Sequence, residues 1–113
     1  MKAVTRILFL DEEGQKFFGE GPCRLLNAVE QTGSLRAAAG AMGMAYTKAL
    51  KLLRQAEQAL GFALTERAAG GRDGGGSRLT PQGKEWLDTY ERYRDACVAA
   101  NRRLYLEFFP PQR

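Results

Sequence analysis

The chain has 113 residues, 44% of them hydrophobic, which is enough for one modest core and too little for the scaffold of a large enzyme. Seventeen Lys and Arg against thirteen Asp and Glu leave a formal charge of +4, a basic bias that favours a polyanionic partner without requiring one. The absence of histidine and the wide separation of Cys23 and Cys97 exclude Cys/His zinc sites and His-dependent triads, so neither catalysis nor a metal or other cofactor is expected.

The apolar run from Ile7 to Leu10 is too short for a secretion signal, and no later run approaches the ~20 apolar residues of a membrane span. The expectation is a cytoplasmic protein with reduced thiols and no membrane partner. Val4 to Leu10 and Lys16 to Phe18, flanking Asp11-Glu12-Glu13-Gly14, predict a β-hairpin within residues 1–20. Pro22 suits the first position of a helix running to about Thr32, where Leu25, Leu26 and Val29 form one apolar stripe and Gly33 ends it.

Ser34 offers a side-chain cap for a second helix, Leu35 to Met42, whose four alanines keep it slim. Gly43 follows Ala39 by four residues, as a helix-turn-helix needs: a small residue where the helices cross and a residue tolerant of positive φ in the turn. Met44 then enters the core. A third helix, Ala45 to Leu60, turns Ala49, Leu52, Leu53, Ala56 and Leu60 inward and Tyr46, Lys48, Lys51, Arg54, Gln55 and Gln58 outward, with Gly61 as its stop.

Phe62 to Arg67 and Ser77 to Thr80 read as short strands around a loop, residues 68–76, that holds five glycines in nine residues and is expected to be mobile in the free protein. Thr80-Pro81 supplies a cap and a first-turn proline for a long last helix reaching Phe109, before Pro110-Pro111. In it Trp86, Tyr90, Tyr93, Cys97, Ala100 and Leu104 recur at alternating spacings of four and three, a heptad seam. The order of elements predicts a single α+β domain over 1–113: a winged helix-turn-helix with an N-terminal hairpin (1–20), a three-helix core (21–60), a wing (61–80) and a long C-terminal dimerisation helix (81–109).

The exposed side of the third helix is the candidate recognition surface. A helix fits the major groove, where Lys bonds guanine O6 and N7 and Thr or Tyr reaches phosphates or the thymine methyl, so Tyr46, Thr47, Lys48 and Lys51 are assigned there and Arg54 to phosphate. The same charges are also what any solvated helix face carries. Arg72 in the glycine loop, flanked by Arg67 and Arg78, is expected to reach the minor groove or the phosphates. A nucleotide-phosphate cradle is the other use of such a loop, but it would open a helix and carry GK[ST]; here the loop leads into Ser77-Arg78-Leu79-Thr80. A flexible structural hairpin is the plainer reading. Charge supports the polyanion: Lys48, Lys51, Arg54, Arg67, Arg72, Arg78 and Lys84 outnumber Glu57, Glu66 and Asp73 between Ala45 and Lys84, whereas the hairpin carries Asp11, Glu12 and Glu13.

The first turns of the last helix are expected to complete the core, and Tyr93 to Phe108 to form a dimer contact. Two modules related by a two-fold axis read a palindrome with half-sites about a helical turn, ~34 Å, apart. A winged-helix module that docks a partner protein, such as a separate effector sensor, remains the alternative.

From FGEGPCRLLNAVEQTGSLRAAAGAMGMAY through ERAAGGRDGGGSRLTPQGKEWL, the chain resembles the N-terminal DNA-binding domain of ModE-type molybdate-responsive transcription regulators, itself similar to the LysR-type winged helix. Gly33-Ser34, Ala38-Ala39, Gly43-Met44, Tyr46, Arg67 and the glycine run through Leu79-Thr80 and Gly83 carry the likeness. The resemblance implies a homodimer held by the first and last helices, which adds Leu25 to the seam, and a palindromic double-stranded DNA operator approached by the third helix and the wings, with Ser34 and Ala45 among the contacts. Where the family commonly opens the third helix with Ser-Tyr-Arg/Lys-x-Ala-Trp, this chain has Ala45-Tyr46-Thr47-Lys48-Ala49-Leu50, which leaves the operator sequence open. The family's regulators continue into a molybdate-binding region, so oxyanion sensing is expected to lie outside this polypeptide.

Overall fold

Side chains alternate along the N-terminal segment because they face a helix. The computed structural model describes residues 1–69 and 76–112. In it only Phe9–Leu10 (β1) pairs with Lys16–Phe18 (β2), antiparallel, so the expected hairpin is much shorter than Val4 to Leu10. Ahead of it Thr5 and Ile7 turn inward while Val4, Arg6 and Leu8 stay exposed. The Tyr90 hydroxyl donates to the Ile7 carbonyl (2.8 Å), the Asn101 amide to the Thr5 hydroxyl, and the Tyr105 hydroxyl to the Met1 carbonyl (2.9 Å). Six extended residues span ~20 Å and fifteen helical ones ~22 Å, so the two runs match in length. The turn after β1 is closed by Asp11, whose carboxylate accepts from the amides of Glu13 and Gln15.

Helix α1, Glu20–Thr32, begins two residues before Pro22, the expected start. Gly19 is its N-cap and accepts the first helical bond from Cys23 N (3.0 Å), which leaves Pro22 in the first turn, where no N–H has a helical partner anyway. α2 spans Leu35–Ala41 and α3 Tyr46–Leu60. Ser34 Oγ accepts from Ala37 N at 3.0 Å, as the sequence predicts, and Gly43 in the following turn has φ +67°. Ala38, Ala39, Ala49 and Ala56 are all but fully buried, so these helices meet through β-carbons.

β3, Thr65–Ala68, pairs antiparallel with β4, Gly76–Leu79, from Thr65 opposite Leu79 to Ala68 opposite Gly76. Each end of this ribbon's base is tied down. Leu64 N donates to the Glu57 carboxylate (2.8 Å), Thr80 N to the Leu64 carbonyl (3.0 Å), and Ser77 N to the Gly33 carbonyl (2.8 Å). α4, Pro81–Phe108, starts under the ribbon with the Thr80 hydroxyl accepting from Gly83 N. A β-carbon on Gly83 would lie 2.2 Å from the Leu64 carbonyl oxygen, so only glycine lets the helix approach so closely.

Phe18, buried completely, is the hub of the core: its ring meets Tyr90 edge-on at 4.9 Å and Trp86 at 5.3 Å, and Phe9 meets Trp86 at 5.5 Å. This corrects three expected dimer contacts. Leu25 is 1% exposed and Tyr90 2%, both inside the protomer's own core, and Trp86 packs on the hairpin aromatics. Heptad spacing selects one face of α4, and the hairpin covers the first part of that face. No helix among the described residues is long and apolar enough to cross a membrane.

Candidate nucleic-acid interface

Two helices of low bulk bring the entry end of α3 to the surface. Ala45, exposed, occupies its N-cap with no side-chain bond, so no side chain covers the entry of α3, where the Lys48 amide is held by the Ala45 carbonyl (3.1 Å). Thr47, Lys48 and Lys51 are exposed on one face at helical spacing and border a shallow concavity with Leu52 and Gln55. Neither lysine forms an ion pair among the described residues. This face can insert into a groove edge-first, with donors aimed outward.

The other expected contacts divide. Arg54 is exposed but held by Glu57 at 2.9 Å, and the same carboxylate anchors Leu64, so Arg54 sits at the joint between α3 and the ribbon. Arg78 is paired across the strands with Glu66 at 2.9 Å. Arg67 is exposed on β3 opposite Ser77, and Arg72 lies outside the described residues, as do most of the loop glycines and the expected mobility of that loop. Ser34 is corrected: it is 4% exposed with its hydroxyl committed to the cap, so it shapes the entry of α2 rather than presenting a contact. Tyr46 is half-buried against the core, and Arg36 of α2 lies over its ring with Cζ 4.3 Å from the centroid. Sequence reasoning missed Arg36, because the ring and the guanidinium are ten positions apart on different helices. An arginine in the first turn of one helix and an aromatic at the first position of the next was the available signal.

On α4 the seam is exposed at Tyr93, whose ring Phe9 of the hairpin still reaches at 6.2 Å, and at Leu104 and Phe108, with Cys97 and Ala100 half-buried between them. Cys23, by contrast, is buried beside Glu91, Asn27 and Arg94. Burial first, then the Glu91 and Glu20 carboxylates, push its thiol up to about 11, which makes it inert as a nucleophile near neutrality.

Three helices, the second and third joined at a glycine turn, with a two-stranded wing and an exposed cationic face on the third, define a winged helix-turn-helix. The sequence profile described as "Bacterial regulatory helix-turn-helix protein, lysR family" matches residues 23–84. The chain belongs to that family of regulatory helix-turn-helix proteins. It is 44% identical over 73 residues to "Molybdenum transport protein ModE" of Herbaspirillum seropedicae, an overlap of 65% of this chain and 25% of that protein. It is 36% identical over 86 residues to "Molybdenum-pterin-binding protein MopB" of Rhodobacter capsulatus, covering 76% of this chain and 32% of that one. The chain therefore spans between a quarter and a third of these relatives. Two solved structures share the fold: a complex of the CbnR DNA-binding domain with DNA (TM-score 0.59, 22% identity, 77% of this chain and 94% of that one) and ArgP from Mycobacterium tuberculosis (TM-score 0.54, 20% identity, 78% and 30%).

Proposed function

We propose that this domain reads a specific double-stranded DNA sequence as a homodimer, with α3 in the major groove and Arg67 and Arg72 of the wing on the flanking backbone or minor groove. The observation that carries the reading is the exposed entry of α3, where Thr47, Lys48 and Lys51 stand beside an N-terminus without a side-chain cap. The regulatory family supports a role in gene control, and the names of the two relatives link that role to molybdenum; the reading places it in the cytoplasm. The exposed seam from Tyr93 to Phe108 is the surface for the second protomer, and a palindromic operator follows from the two-fold axis.

The test is selection of duplexes from a random pool, followed by fluorescence anisotropy across a salt series. Binding is expected to weaken steeply as salt rises, because cations on the protein displace condensed counterions; salt-insensitive binding, or none at low salt, sinks the reading. Lys48→Ala is expected to erase the preference for the selected sequence, and Arg72→Ala to weaken all duplexes alike; equal loss from both on every sequence refutes that division. Sedimentation is expected to show a dimer that Leu104→Glu dissociates. A parent protein that stays monomeric at the concentrations where it binds DNA would assign the seam to a different partner, such as a separate effector-sensing protein.

A further inference from the structure

Most arginines with a defined partner in this protein are held by a carboxylate: Arg54 by Glu57, Arg78 by Glu66, Arg92 by Asp88, and Arg94 by Glu20 and Asp95. Arg36 is held differently. It is exposed, it forms no ion pair or side-chain hydrogen bond among the described residues, and its guanidinium lies over the Tyr46 ring at 4.3 Å. The physical difference is large. A carboxylate orders an arginine by occupying its N–H donors and cancelling its charge, whereas a ring orders it through its face and leaves donors and charge available. Tyr46 is itself anchored, as the first residue of α3 and packed against the core, so the platform under Arg36 is fixed before any ligand arrives.

The geometry points to Arg36 as a phosphate clamp for the proposed DNA complex, pre-ordered by Tyr46 and set beside the entry end of α3. This rests on the DNA-binding reading above and adds a residue to it. Phosphate is the expected ligand because Arg36 stands on α2, beside the helix assigned to the groove, and in helix-turn-helix complexes the preceding helix crosses the DNA backbone. A planar fork pairs with two phosphate oxygens at once, and holding it in place beforehand lowers the ordering cost of the contact. Tyr46, assigned from the sequence to the DNA surface directly, acts through Arg36 as a positioning residue. Lysine at position 36 would keep the charge but lose both the stack and the fork.

Anisotropy with a duplex recovered by selection and a mixed-sequence duplex, each across a salt series, tests the assignment. Arg36→Ala is expected to weaken both duplexes equally, by about tenfold, and to flatten the slope of log K against log salt by about 0.9. Arg36→Lys restores the slope but only part of the affinity. Tyr46→Leu reproduces the loss, and the double variant Arg36→Ala/Tyr46→Leu is no weaker than the poorer single variant within about twofold, as two residues acting as one unit require. An Arg36→Ala protein that binds both duplexes normally, while Lys48→Ala still loses discrimination, overturns the clamp and leaves the DNA-binding reading standing. Loss confined to the selected duplex overturns the phosphate assignment in favour of a base contact. If the parent binds neither duplex at low salt, both readings fall together.

Discussion

Between the hairpin and α4 the protein packs rings, and between α2 and α3 it packs alanines. Phe9, Phe17, Phe18, Trp86 and Tyr90 form a continuous set of edge-on and tilted contacts at one end of the domain. At the other end Ala38, Ala39, Ala49 and Ala56 fill the space between helices with single methyl groups. Apolar area per residue is far greater in the first arrangement, and so is the free energy of burial. The second gives close approach instead: slim helices keep the cationic face of α3 and the Arg36 stack at the surface without thick side chains around them. Stability and the proposed recognition surface thereby lie on different residues, and single substitutions should separate them.

Phe18→Ala is expected to have the largest effect, about 4 kcal/mol lost in urea unfolding, since it empties the hub of the ring cluster. A loss below about 1 kcal/mol would mean the cluster relaxes into the hole, and the contrast between the two ends would collapse. Gly83→Ala comes next, with about 3 kcal/mol expected, because the new β-carbon at 2.2 Å from the Leu64 carbonyl must push backbone rather than a side chain. Unchanged stability there would show that α4 can slide away from the wing. Ser34→Ala removes the α2 cap and should lower stability by about 1 kcal/mol, measured by thermal denaturation.

Lys48→Ala should shift stability by less than about 0.5 kcal/mol while discrimination between duplexes is lost, which is the sharpest form of the separation. A variant that unfolds more easily would instead tie α3's exposed face into the fold. A pH slope tests the packing around α1 separately. Because the folded protein pushes the Cys23 thiol up from 9.0 to about 11, it holds that proton more tightly than the unfolded chain does. This stability is complete below pH 9 and is lost as pH rises toward 11. Burial also raises the Tyr90 phenol, with the same sign, so Cys23→Ala should reduce the slope without removing it. Stability that rises with pH across this window would contradict the burial of the thiol.

Local chemistry made the helices legible. Gly33, Gly43 and Gly61 all take positive φ where the sequence places stops and a turn, and Ser34 and Thr80 cap as their side chains allow. The entry of α3 follows from the same rules, so Thr47, Lys48 and Lys51 stand exposed as the pattern predicts. What the sequence could not show depends on pairs far apart along the chain. The Tyr105–Met1 and Tyr90–Ile7 bonds turn an apparent strand into a strap on α4, and that strap with the hairpin hides Trp86 and Tyr90 from the seam. Glu57 is the other case: nothing local says that one carboxylate takes both Arg54 and the Leu64 amide. Leu25 was misplaced for a related reason, since an apolar stripe records burial but not what covers it.

The hydrogen bond from Ser77 to Gly33, together with the Glu57–Leu64 bond, has a mechanical consequence. One joins the wing to the turn that precedes α2, the other to the last turns of α3. The ribbon and α3 therefore behave as the two jaws of a caliper whose gap is preset inside the monomer. A substitution that loosens either joint leaves every outward-facing cation in place and changes only the distance between the jaws.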